Sequence, residues 1–89
     1  VTCRRGGAGN TFDQLNKYFT IKQMPVVAST YWNNVFGRVP GDADGDAEGL
    51  ATMRNIGKNM AWLLRCIEAG QAAGINAPEA DRATTNFIR

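Results

Sequence analysis

The sequence holds 89 residues, 44% hydrophobic and 20% charged, which bounds it to one small globular unit. Ten basic and eight acidic residues leave a net charge of +2, too small and too dispersed to point to nucleic acid or an anionic membrane surface. There is no histidine, which removes Ser-His-Asp and Cys-His catalysis, histidine-ligated zinc and histidine proton shuttles.

A unit of this size buries only about 60–65% of its unfolded surface. Its two cysteines, Cys3 and Cys66, show no paired spacing. They read as free thiols in a reducing, cytoplasmic compartment rather than as a disulfide. No apolar run approaches the roughly 20 residues that span a bilayer, and there is no signal-peptide pattern.

Val1-Thr2-Cys3 suits the end of a strand. Arg4 to Asn10 reads RRGGAGN, with glycines at 6, 7 and 9, and is a loop. Thr11 and Gln14 fit a capping box, and Phe12, Leu15 and Phe19 share one face, so a helix is predicted over about 11–20. Met24 to Ser29 reads MPVVAS, apolar on both faces and β-branched in the middle. It is predicted as a buried strand of a parallel sheet, with Pro25 at its start where the missing amide does little harm.

Thr30 to Asp46 is a loop of unusual length, and its aromatics Tyr31, Trp32 and Phe36 argue against disorder. A long helix follows over about 47–72. Asp46 is its N-cap, Glu48 lies in the first turn, and Leu50, Met53, Gly57, Met60, Leu64 and Ile67 form an apolar stripe. Gly70 or Gly74 ends it as a left-handed cap, with Ile75 for the apolar contact. Residues 76–89 read as an extended arm with an apolar anchor near Phe87 and Ile88.

The order β-loop-α-β-loop-α is that of a doubly wound sheet. One or two strands neither cover both faces nor saturate their edges. The expectation is therefore an incomplete portion of a larger α/β domain. The edge beside Met24 to Ser29 is expected to pair with another chain, in a homo-oligomer.

Three constellations are candidates for chemistry. In parallel sheets ligands sit at loops leaving the strand ends, and RRGGAGNT holds such a place. Its glycines let backbone amides approach a ligand, and Arg4 and Arg5 add positive charge. An ordinary glycine turn is the equal alternative; the loop has neither GxGxxG spacing nor a Walker lysine. The acidic run from Asp42 to Glu48 fails the calcium-loop register, because Ala47 and Met53 hold the sixth and twelfth positions. Tyr31-Trp32-Asn33-Asn34 is either a packing cluster or a wall for a flat ligand or subunit. Trp62 lies nearly opposite Met53 and Met60, where it would meet another layer or subunit.

The strings RRGGAGNTFDQLNKYFTIKQMPVVASTYWN, DAEGLATMRNIGKNMAWLLRCIEAG and ATTNFIR together resemble the C-terminal half of the flavodoxin-like NAD(P)H-dependent FMN reductase family, near the iron-sulfur flavoproteins and quinone reductases. The resemblance implies the C-terminal portion of a flavodoxin-like doubly wound parallel sheet. Val1 to Cys3 would end strand 4, Met24 to Ser29 would be strand 5, residues 1–75 would form the α/β portion and 76–89 the arm. It implies FMN as cofactor, NAD(P)H as co-substrate, and hydride or electron transfer to a quinone, flavin or similar acceptor. The loop lining the isoalloxazine ring maps onto Cys3, Arg4, Arg5, Gly6 and Gly7. No catalytic side chain and no metal ligand are implied, and the isolated chain is expected to be inactive. The alternative is an inert oligomerisation module built on the aromatic loop and long helix.

Overall fold

The computed structural model describes residues 2–3, as backbone only, and 7–88. The order is strand β1 (Thr2–Cys3), helix α1 (Ala8–Thr20), strand β2 (Asn34–Val35), a 3-10 turn at Asp42–Gly45, and helix α2 (Ala47–Ala72). β1 and β2 pair in parallel, Thr2 opposite Asn34 and Cys3 opposite Val35.

Helix α1 starts three residues earlier than predicted. Gly7 is its N-cap, in the left-handed region at φ 64°, with no side chain capping it. Only glycine takes that conformation without penalty, so Gly7 turns the chain from loop to helix at Ala8. Thr11 and Gln14 therefore lie inside the helix, and the capping box does not form there. Ala8 is buried and anchors this end. The other end closes around Gln23 at φ 56°, with the Met24 amide donating to the Phe19 carbonyl at 3.1 Å.

The strand expected over Met24 to Ser29 is not formed. Among the described residues the segment has no ladder, and β2, further along, lies beside β1. Pro25 has no amide to offer a ladder. Two carbonyls of the segment are taken by side-chain amides: Asn33 Nδ2 donates to Val27 at 3.4 Å, and Asn59 Nδ2 to Ala28 at 2.8 Å.

Helix α2 runs as its periodicity predicts, Ala47–Ala72. Gly74 takes the left-handed cap at φ 84°; its amide donates to the Gln71 carbonyl at 3.0 Å and that of Ile75 to Gly70 at 2.8 Å, a Schellman closure. At the start, the Asp46 carboxylate accepts from the Gly49 amide at 2.9 Å and from the Phe36 amide at 2.7 Å. One side chain thus caps the helix and ties the loop to it. Asp42 does similar work in the loop, accepting from the Arg38 and Val39 amides at 3.0 and 3.1 Å.

The core lies where β2 meets the first turns of α2. Val35, Asn33, Asn34, Gly49 and Thr52 are buried there. The apolar stripe does not stay buried along α2: Met60, Leu64 and Ile67 are exposed, as is Trp62. Phe87 and Ile88 are almost fully exposed, so the expected anchor of the arm is not seated. The radius of gyration is 17.5 Å, against about 12 Å for a compact chain of this length. No helix among the described residues is long and apolar enough to cross a membrane.

Two predictions follow from the start of α2. A Cβ on Gly49 would fall against the Asp46 carboxylate and 3.1 Å from Val35 Cα, whereas a Cβ on Gly57 meets nothing within 4 Å. Alanine gains about 1 kcal/mol of helix propensity over glycine, while overpacking costs about 1–3 kcal/mol. Gly57→Ala should therefore raise the thermal midpoint and Gly49→Ala lower it; a rise in both would contradict the crowding at Gly49. The hydrogen bond from Phe36, then that from Gly49, favours the charged form of Asp46 and holds its pKa below the usual aspartate value. Its stabilisation is complete above the unfolded aspartate pKa and disappears as pH falls through the lowered folded one. Asp46→Ala should melt below the parent at neutral pH, and thermal melts should show that gap closing in strong acid.

Candidate functional site

The site begins where α1 leaves β1. Of the loop residues singled out from the sequence, Cys3 is in β1 and Gly7 is the N-cap of α1. Arg4, Arg5 and Gly6 lie outside the described residues. The parallel pairing of β1 with β2 brings the first turn of α1 together with the aromatic loop. Gly9, Asn10, Phe12 and Asp13 face Trp32 and Asn34 across an open cavity of about 250 Å³. The glycine loop and the aromatic cluster, separate in the sequence, thus share one wall of space.

Trp32 is 66% exposed, and its neighbours in the chain are hydrogen-bonded. The Asn34 amide donates to the Trp32 carbonyl at 2.7 Å. Ser29 Oγ lies 2.7 Å from the Tyr31 carbonyl and 2.5 Å from Asn33 Oδ1, its single proton serving one acceptor at a time. Asn33 is only 5% exposed, and its amide reaches the Val27 carbonyl. The Tyr31 ring lies 5.4 Å from the Trp32 ring, tilted at 42°. The result is an exposed indole on a fixed mount, an arrangement suited to contact with a flat partner.

Asn55 and Asn59 complete the mount from α2, and the sequence reading missed both. Asn55 Nδ2 donates to Thr30 Oγ1 at 3.0 Å, one turn before Asn59 reaches Ala28. Asparagine is a poor residue inside a helix. Two of them four apart, flanking Ile56, were a signal that one face of α2 bonds a neighbouring segment.

A second cavity, of about 220 Å³, opens between α1, the 24–27 segment and α2, lined by Phe12, Phe19, Met24, Val26, Ile56 and Met60 among others. It is apolar and has no convergent charge. Cys66 is exposed on α2 and unpaired. Among the described residues no group of three or more His, Cys, Asp or Glu side chains is placed to hold a metal ion.

This chain is similar to an iron-sulfur flavoprotein of Methanocaldococcus jannaschii, with 36% identity over 70 residues. The match takes in 73% of this chain and 36% of that protein's length, so the chain spans about a third of the curated relative it matches. No family model matches the sequence, and no solved structure matches it. Iron-sulfur clusters are held by four cysteine thiolates, and two cysteines do not make that set. A flavin ring makes other demands: a flat slot and nearby backbone amides. The cavity at Trp32 borders the first turns of α1, and around Gly7 and Gly9 an added Cβ would touch nothing within 4 Å.

Truncating Asn33 leaves the Val27 carbonyl and Ser29 hydroxyl without their buried partner. Asn33→Ala should cost about 1–3 kcal/mol in urea unfolding and shift the Trp32 emission to the red as its mount loosens. An Asn33→Ala protein with the parent's unfolding midpoint would show that Trp32 is not held this way.

Proposed function

We propose that this chain forms part of a flavin-dependent redox protein and supplies the loop that lines the flavin ring. The observation that carries the reading is the similarity to the iron-sulfur flavoprotein, which runs through most of this chain. In this reading Cys3, Arg4, Arg5, Gly6 and Gly7 contact the isoalloxazine of FMN. The chain contributes to a flavodoxin-like α/β domain as its C-terminal portion. FMN supplies hydride and electron transfer, from NAD(P)H to a quinone, a flavin or a similar acceptor. The backbone amides near Gly7 favour the ring edge on which negative charge accumulates during reduction. Arg4 and Arg5 strengthen that field. The ring chemistry belongs to the cofactor, so the lack of histidine is no obstacle.

A second reading rests on the exposed Trp62, Leu64 and Ile67 of α2. Here the chain serves only to assemble copies or partners. The two readings separate on cofactor content. The product of the whole reading frame containing this sequence, expressed with excess FMN, should purify yellow and oxidise NADPH or NADH. Replacing Gly7 by valine puts a β-branched residue in a left-handed conformation, and should lower flavin content at least tenfold. A protein that remains colourless with excess FMN, without flavin absorbance, would leave only the assembly reading.

A further inference from the structure

We propose that the 76–88 arm is a strap that closes over the apolar cavity between α1, the 24–27 segment and α2, and seats Phe87 in it. The inference does not rest on the flavin reading. The structure holds the strap open. Phe87 is 90% exposed and Ile88 88%, while the cavity, about 220 Å³, opens between Phe12, Phe19, Met24, Val26, Ile56 and Met60. That volume is below the roughly 300–1,000 Å³ of sites for drug-sized ligands, and suits one large side chain. An exposed aromatic and an open apolar cavity both leave apolar surface in water, and one contact removes both.

The arm passes where such a strap must begin. Ala80, Asp81 and Arg82 share an open space with Ile21, Lys22 and Gln23, just past the end of α1. The next residue, Met24, donates its amide to the Phe19 carbonyl at 3.1 Å, and both residues line the apolar cavity. From Arg82 to Phe87 the chain advances five residues, a reach of at most about 17 Å. The cavity extends along α1 from Phe12 to Phe19, about 10 Å of helix, so Phe87 reaches it. Ala83 to Asn86 hold no charge and no proline, so the span lies against apolar surface without burying an ion.

Both ends of the span are shaped locally. Asp81 Oδ1 accepts from the Ala83 amide at 3.2 Å, and Asn86 Oδ1 from the Ile88 amide at 2.9 Å. Turns of this Asx type limit the freedom lost on closure. The tether selects this chain's own arm over that of a second copy, because a tip on a short linker is present at an effective concentration on the order of millimolar. Phe12 lines both this cavity and the one at Trp32. Closure of the strap therefore bears on a wall of the candidate site.

The test uses the product of the whole reading frame containing this sequence, carrying Cys66→Ser. Asn16 lines the cavity, whereas Gln14 is about 200° away around α1. Thr85 is two residues before Phe87, on the same side of an extended chain. Thr85→Cys is combined with Asn16→Cys, and in a control with Gln14→Cys, leaving Phe87 in place. Disulfide formation under mild oxidation is timed by peptide mapping, and non-reducing gels separate bonds within a chain from bonds between chains. The 16–85 bond should form within one chain at least tenfold faster than the 14–85 bond. Adding Phe87→Ala should abolish that advantage while circular dichroism confirms the helices. Equal rates for the two pairs, or an advantage that survives Phe87→Ala, would overturn the proposal. A 16–85 bond found only between chains would also overturn it, assigning the cavity to the arm of a second copy.

Discussion

The Asp46 carboxylate is the joint on which the described structure turns. It accepts from Gly49 at the start of α2 and from Phe36 one residue past β2. Through that pair of bonds the longest helix is tied to the strand that lies beside β1. Gly49 has no side chain because Asp46 and Val35 occupy the space where one would be. If Asp46 released the loop, β2 would lose its support from α2, and Trp32 and Asn34 would lose their position against the first turn of α1. The candidate site therefore depends on a carboxylate that lies outside it.

A second set of polar contacts does what apolar burial does in larger domains. Asn33, Asn55 and Asn59 hold the 27–30 segment by its carbonyls and hydroxyl. Few apolar side chains are buried among the described residues, and much of α2 presents apolar surface. Surface of that kind marks a face used for contact with another segment or chain. The principal extents are 47 × 46 × 18 Å.

The parts legible in the sequence were those governed by local rules. Periodicity and capping delimited α2, including Asp46 at its start and Gly70 or Gly74 at its end, of which Gly74 closes it, because helix ends satisfy their own amides and carbonyls nearby. The start of α1 was misplaced because Thr11 and Gln14 satisfy a local pattern, while the choice was made by Gly7 and the burial of Ala8. Met24 to Ser29 has strand composition, but composition does not reveal which partner takes its carbonyls. That partner is an asparagine 31 positions away in one case. The glycine loop and Trp32 were legible in the sequence only as two separate features; β1 pairing with β2 joined them. The aromatic alternatives left open from sequence narrow accordingly, since the Trp32 ring borders a cavity instead of filling one.

The central claim is that flavin recognition in this chain gathers at the entry to α1. Amide chemical-shift mapping of the isotopically labelled protein with FMN addresses it directly. The largest perturbations should fall on the amides from Arg5 to Asn10 and on the Trp32 indole. Perturbations concentrated instead on the 76–88 arm or on the exposed end of α2, with the α1 entry unchanged, would contradict it.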